Sequence, residues 1–271
     1  MNGRNQTLKV VKNSYYLSGA ERAEGVHRLF KKIARRYDLI NDIQSMGSHR
    51  IWKRRLLDKA LSYRSLREVT NSEPLCVLDL CSGTGDIAIA LAQKGFKLFA
   101  ADFSGEMLAV AKKRSLGIPP SELEWIEADI YDLDIPASSY DIVTCAYGLR
   151  NLSDIPLAIK KMFEWLKPGG LVLFLDFGKP KNIFFKPFFY LYLKLVVPVL
   201  GFFLCGDAKA YSYILDSLGH YPAQEGVDKL LQEAGFFQTG WEPFAGGTMC
   251  LSYATKPSAS SYATCDEQLT N

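Results

Sequence analysis

Histidine is scarce in this chain. His27, His49 and His220 are the only three among 271 residues, and their separation matches no metal-ligand spacing. The six cysteines (76, 81, 145, 205, 250 and 265) form no C-x-x-C pair and several sit in apolar runs. Structural zinc is therefore not expected, and the thiols read as free cysteines of a reducing compartment. No long Lys/Arg run exists and the net charge is only +3, so the electrostatic footprint of a nucleic-acid binder is missing. Residues 1–16 hold no apolar h-region, from which an intracellular protein is expected. There is no internal repeat, and the one Tyr-x-x-x-Lys, Tyr190 to Lys194, lies in an apolar run rather than a recognisable hydride-transfer site.

What is present is ordinary globular composition, 48% hydrophobic and 23% charged, enough for one large core. Residues 1–25 are mixed and polar and read as a flexible arm. Apolar residues recur at helical spacing from Val26 to Tyr37, and a second helix is expected over about 48–61. Alternation then begins. Strands are expected at 75–80, 97–102, 123–129, 141–147 and 171–177, with helices at 87–94, 104–114 and 153–166 between them. Ser104 and Ser153 are expected as N-caps. This rhythm predicts an α/β fold, a doubly wound, mostly parallel sheet covered on both faces. Later come an apolar helical insertion (183–218), a helix at about 223–234, a closing β-hairpin, and a small polar tail (256–271) expected to be disordered. One domain is expected over 26–255, with 26–62 as a helical lid.

"VLDLCSGTGDIA" places Gly83 and Gly85 between the first strand and its helix. Glycines let backbone N–H groups approach a ligand, and a helix N-terminus favours negative charge. Asp102 ends the second strand, where an acidic side chain can take a ribose diol, with Phe103 beside it. The turn alone also fits a loose dinucleotide fingerprint. Asp79 inside the first strand suits a cationic amino-acid ligand better than a pyrophosphate, or caps the glycine turn. Asp129 is placed to meet an adenine amino group. "LKPGG" (166–170) before an apolar strand resembles the approach to strand five in class I methyltransferases, which use S-adenosylmethionine.

"FKKIARRYDLINDIQSMGSHRIWKRRL" (30–56) and "YGLRN" (147–151) carry a more specific likeness, and "YSYILDSLGHYP" (211–222) adds to it. Over roughly 26–255 the chain resembles the UbiE-type family, the ubiquinone/menaquinone biosynthesis C-methyltransferases. The resemblance implies cofactor contacts from Thr84, Asp102, Asp129 and Ile130, with Gly83, Gly85, Asp79, Phe103 and Tyr37 around them. It departs at Cys81 and Ser82, where small residues are common, and at Ala146, a frequent serine.

The implied reaction moves a methyl group from S-adenosylmethionine to a ring carbon of a prenylated quinol, either demethylmenaquinol or a ubiquinol precursor. A phenol of pKa ~10 must lose its proton for the carbon to attack. Arg150 is expected to favour the phenolate, Asn151 to orient an oxygen or the arginine, and Asp38 to be a proton acceptor. His49, followed by Arg50 at the start of a basic helix, reads as structural or as a general base, and His220 reads as structural or surface. Arg150 reads alternatively as an ion pair to Asp154 or Asp38. No metal is expected.

Residues 183–205, "IFFKPFFYLYLKLVVPVLGFFLC", have nearly the length of a membrane span, but Lys186, Lys194, Pro187 and Pro198 argue against one. An apolar wall for the isoprenoid tail, or an interfacial helix with Lys179, Lys181, Lys186 and Lys194 towards anionic headgroups, fits better. A cap over the sheet or a homodimer face is the alternative. The expected location is cytoplasmic, peripheral on the inner membrane face. An NAD-dependent oxidoreductase and a non-catalytic binding protein are the remaining functions compatible with the turn.

Overall fold

The computed structural model describes residues 30–31, 33–67, 73–205, 215 and 217–258. The expected arm, most of the polar tail, His27 and the parts of the expected helices that fall at 26–29 and 207–214 lie outside them.

Seven strands form one sheet in the order β3-β2-β1-β4-β5-β7-β6. They are β1 (Cys76–Leu80), β2 (Lys97–Asp102), β3 (Leu123–Glu127), β4 (Tyr140–Ala146), β5 (Leu166–Phe177), β6 (Phe237–Phe244) and β7 (Met249–Thr255). The first five pair in parallel, and β7 runs antiparallel between β5 and β6. The doubly wound sheet and closing hairpin follow the expected pattern. Most boundaries differ by one or two residues, and two differ by more: the helix expected over about 48–61 runs from His49 to Arg67, and β5 begins at Leu166, because Leu166 already pairs with Tyr140 before an irregularity in the register.

Successive side chains of a strand point to opposite faces, and the core divides accordingly. Val77, Leu98, Ile142 and Leu173 pack on one face with Leu56 and Leu91. Leu78, Val143, Val172 and Phe174 pack on the other with Ile159, Met162 and Val227. The covering helices are α1 (Tyr37–Ser45), α2 (His49–Arg67), α3 (Asp86–Ala92), α4 (Gly105–Arg114) and α5 (Ile155–Trp165). Ser104 caps α4 as expected, accepting from the Met107 amide at 3.3 Å. For α5 the cap is Asp154 rather than Ser153; its carboxylate accepts from Leu157 N–H at 2.9 Å, and Pro156 follows in the first turn.

The N-terminal region is segmented. A 3-10 turn (Ala34–Arg36) leads into α1, which the apolar spacing of 26–37 did not reveal. Met46 and Gly47, both at positive φ, end α1, and the Gly47 N–H reaches the Asp42 carbonyl at 2.8 Å. This reversal folds the start of α2 back against the end of α1.

The insertion is helical: α6 (Phe185–Leu191), a π turn (Tyr192–Val196) and α7 (Val197–Cys205). Phe189, Leu193 and Val197 are 8%, 3% and 2% exposed, whereas Phe184 and Phe188 are 78% and 71% exposed. The Tyr192 hydroxyl donates to the Gln44 carbonyl at 2.8 Å, tying this helix to α1. Helix α8 (Ala223–Glu233) precedes β6. Of the four lysines expected to face headgroups, Lys179 donates to the Tyr221 carbonyl at 2.6 Å and Lys181 pairs with Glu225 at 2.5 Å. Lys186 and Lys194 are exposed.

Candidate active site

The carboxyl ends of β1, β2, β4 and β5 converge on one rim, where ligands sit in open α/β sheets. The glycine turn is braced from β2: Asp102 accepts from Gly83 N–H and from Ser104 N–H, each at 2.8 Å. One carboxylate thus fixes both the turn and the entry to α4. A cleft opens there, lined by Gly83, Asp102, Phe103, Asp129, Ile130, Ala146 and Asn151, and roofed by Phe30 and Tyr37. Gly85 lines no cavity. Its φ is +86°, and a Cβ would lie 2.5 Å from the Trp125 ring, so glycine is required here by packing.

Next to this cleft lies a smaller polar recess holding Asp79, Ser82, Gly83 and Thr84. Asp79 is buried. Its Oδ1 accepts from Thr144 Oγ1 at 2.6 Å, while Oδ2 has no hydrogen-bond partner, and neither has Ser82 Oγ. Burial pushes the Asp79 carboxyl up to about 7, against the Thr144 hydrogen bond. A buried, unsatisfied carboxyl beside a glycine turn suits a ligand bearing an ammonium group, and Asp129 and Ile130 close the apolar cleft at the end of β3. These donors and acceptors fit S-adenosylmethionine.

Asp38 differs from its expected role as proton acceptor. Its Oδ1 accepts from Thr84 Oγ1 at 2.8 Å and its Oδ2 pairs with Arg114 at 2.9 Å, and it lines none of the three cavities. Arg114 also donates to the Thr84 carbonyl at 3.0 Å and to Asp86 at 2.5 Å, and Lys53 completes the group on Asp86. Asp38 is therefore a fastener of α1 onto the glycine turn. Thr84 serves the same junction.

Arg150 occupies a short 3-10 turn (Leu149–Asn151) after β4. It is an ion pair, but to neither expected partner: Nη1 meets Asp176 Oδ1 at 2.6 Å, with both side chains almost fully buried. It also donates to the Tyr147 carbonyl at 2.7 Å, and the guanidinium lies 4.8 Å from the Phe177 ring centre. Asn151 faces the cofactor cleft instead; its Nδ2 contacts the Tyr147 carbonyl at 3.4 Å and its Oδ1 is buried without a partner. Tyr147 sits at φ +61°, an uncommon conformation for a bulky residue that concentrates at functional sites.

The largest cavity lies on the other side of Tyr37 and Tyr147, at about 340 Å³. Its walls are Ile33, Ile40, Phe177, Phe189, Leu193 and Val197, with Phe188 and Met46 at the mouth. Met46 is 90% exposed. Its polar end is formed by Asn41, Gln44, His49, Tyr147 and Arg150. Asn41 Nδ2, Gln44 Nε2, His49 Nδ1 and the Tyr147 hydroxyl are buried without partners. Burial and the nearby Tyr37 raise the Tyr147 hydroxyl well above the ordinary tyrosine range. Each such atom costs about 1–3 kcal/mol while it has no partner. Tyr147 and Asp176 were not singled out from sequence. Tyr147 lay inside "YGLRN", and Asp176 was visible as the one carboxylate in an apolar strand.

Two outcomes follow. Because the folded Asp79 carboxyl titrates near 7 and an unfolded one near 3.8, its contribution favours the fold at low pH and is lost as pH rises from about 4 through 7. Asp79→Asn should make the apo-protein more stable at pH 8 by on the order of a few kcal/mol, leave it unchanged at pH 4, and weaken cofactor binding; urea melts and calorimetry read both. Arg150→Met should cost about 3–5 kcal/mol by stranding Asp176, and the Arg150→Met/Asp176→Leu double variant should regain most of it in the same melts.

Residues 17–256 match the model of the ubiE/COQ5 methyltransferase family. The ubiquinone/menaquinone biosynthesis C-methyltransferase UbiE of Rickettsia akari is 33% identical over 233 residues, covering 83% of this chain and 90% of the relative. That of Rubrivivax gelatinosus is 32% identical over 243 residues, covering 90% and 91%. Among solved structures, an S-adenosylmethionine-dependent methyltransferase from Thermotoga maritima aligns with TM-score 0.52 at 17% identity, over 84% of this chain and 99% of that one. Phosphoethanolamine N-methyltransferase 2 of Haemonchus contortus, solved with S-adenosylmethionine, aligns with TM-score 0.51 at 16% identity, over 74% and 52%. These two establish the likeness of fold, and the dinucleotide alternative for the glycine turn falls away with the family match. The chain belongs to the ubiE/COQ5 family of methyltransferases.

Proposed function

We propose that this enzyme methylates a ring carbon of a prenylated quinol, with demethylmenaquinol as substrate and menaquinol as product. The observation that carries this reading is the junction at Tyr37 and Tyr147. On one side lies a cleft whose lining fits the methyl donor; on the other lies a larger, mainly apolar cavity whose lining also includes Asn41, Gln44, His49, Tyr147 and Arg150. An aromatic diol with a long hydrocarbon tail has that distribution of polarity.

S-adenosylmethionine supplies an electrophilic methyl group. Asp79, Asp102 and Asp129 hold it, and Tyr37 and Phe30 cover it. Tyr147 separates the two compartments at the point where ring and donor meet. Arg150, neutralised by Asp176, acts as a fixed donor to a ring oxygen rather than as a free cation. The apolar walls exclude water, which favours a step in which charge is lost. Asn151, with its unpartnered oxygen in the cleft, orients the donor side.

Quinone mass spectrometry after expression in cells lacking their own enzyme tests the substrate. Accumulated menaquinone with loss of its demethyl precursor is the expected result. Restored ubiquinone alone would transfer the assignment to the benzoquinol precursor, which the relatives' names equally accommodate.

The same reading places the mouth of the cavity at a lipid interface. Ile183, Phe184, Phe188, Leu191, Leu195 and Val199 are exposed along this insertion, and clustered exposed apolar residues mark interaction or membrane surfaces. Phe185–Phe202 is long and apolar enough to span a bilayer by length and composition, but its opposite face is committed to the core, so it lies along the surface rather than across it. Liposome flotation should recover the wild type with vesicles and lose a Phe184→Ser/Phe188→Ser/Leu195→Ser variant to the soluble fraction. Equal partition of both would instead favour an interface between copies.

A further inference from the structure

We propose that His49 is the base that removes the quinol hydroxyl proton, held in its working tautomer by Asp42. The proposal rests on the quinol reading and adds to it the acceptor that the buried arginine pair leaves unsupplied. Arg150 is compensated by Asp176, and Asp38 is committed to Thr84 and Arg114, so neither can take a proton at the cavity.

The geometry of His49 is specific. Its ring is buried and lines the polar end of the apolar cavity together with Tyr147 and Arg150. Nε2 lies 2.8 Å from Asp42 Oδ1. That carboxylate is held at about 2, first by hydrogen bonds from Arg50 and then by His49 itself. It also accepts from Arg50 Nε at 2.9 Å and Nη2 at 2.7 Å. An ionised carboxylate can only accept. Nε2 therefore carries a hydrogen; in the neutral ring that leaves Nδ1 with its lone pair, and Nδ1 has no hydrogen-bond partner. A base oriented by a carboxylate through its other ring nitrogen is the arrangement that general-base catalysis uses. The charged and titratable groups around the ring are Asp42 on α1, Arg50 beside it on α2, and Tyr147 and Arg150 at the cavity end.

The proton account closes. His49 Nδ1 takes the hydroxyl proton; the oxygen's electrons are delocalised to the ring carbon, which forms the new C–C bond as the methyl–sulfur bond breaks and its electron pair stays on sulfur. The hydrogen displaced at that carbon moves to the oxygen on rearomatisation. The proton on His49 is the one proton released overall. Imidazolium formation is stabilised by Asp42.

His49→Gln keeps a side-chain N–H for Asp42 and should lower kcat at pH 7 by about 10²–10⁴-fold, with cofactor affinity unchanged. The deficit should shrink as pH approaches the quinol's own ionisation, and added imidazole should raise the rate of His49→Ala. Wild-type turnover of a short-chain demethylmenaquinol is measured first: its failure would overturn the quinol reading. With wild-type turnover present, a His49→Gln rate within threefold of wild type, or a pH-independent deficit without imidazole rescue, would overturn the role of His49. Nitrogen-15 spectra of histidine-labelled wild type give an answer that needs neither variant nor turnover. Binding of 1-naphthol, whose hydroxyl is protonated in water at pH 7, should convert His49, one of only three histidines, to imidazolium while the naphtholate absorbance appears; an unchanged ring with bound naphtholate would overturn the assignment.

Discussion

The buried pair of Arg150 and Asp176 is the constraint on which the rim is built. It joins the turn after β4 to the end of β5, and Asp176 also accepts from the amides of Arg150 and Phe177 at 3.1 and 2.8 Å. A charge pair so nearly removed from water tolerates little displacement, because losing alignment exposes each ion to an uncompensated desolvation cost. The same pair holds the Tyr147 carbonyl and with it a residue whose backbone conformation would relax if unrestrained. The partition between the two compartments is therefore fixed by electrostatics rather than by apolar packing alone.

A second set of charges fastens the roof. Arg114 at the end of α4 reaches Asp38 on α1, Thr84 in the glycine turn and Asp86 at the start of α3. Two segments distant in the chain, α1 and the glycine turn with the start of α3, meet at one guanidinium whose planar set of donors suits several acceptors at once. The helical cover over the cofactor cleft is thus coupled to the turn that contacts the cofactor.

The sheet was legible because its central strands β1, β4 and β5 are buried on both faces and read as apolar runs punctuated by Gly, Pro and Asp. Asp79, Asp102 and Asp129 were visible as acidic residues at or near strand ends, and the structure sets them around adjoining spaces. Partners were less visible. Nothing in sequence spacing connects Arg150 to Asp176, 26 residues away, or Asp38 to Arg114, since both pairings are made by the topology. The left-handed conformation of Tyr147 has no signature in residue type. Helix α1 escaped because its apolar positions face a cavity and an exposed edge rather than a continuous core. His49 looked like the start of a basic helix, and only the reversal at Met46 and Gly47 brings its ring to Asp42.

The π turn at Tyr192–Val196 has a consequence for how the inserted helix keeps its two sides apart. The buried positions Phe189, Leu193 and Val197 recur every four residues, whereas a regular α-helix completes a revolution in 3.6. Without a wider coil, that series would wind steadily around the axis and carry greasy side chains from one flank to the other. The extra residue in the turn cancels the drift, giving a straight seam inward and an equally straight apolar ridge outward. Removing a single residue there would rotate everything downstream by about 100° about the axis and swing the inward series out of line with the core.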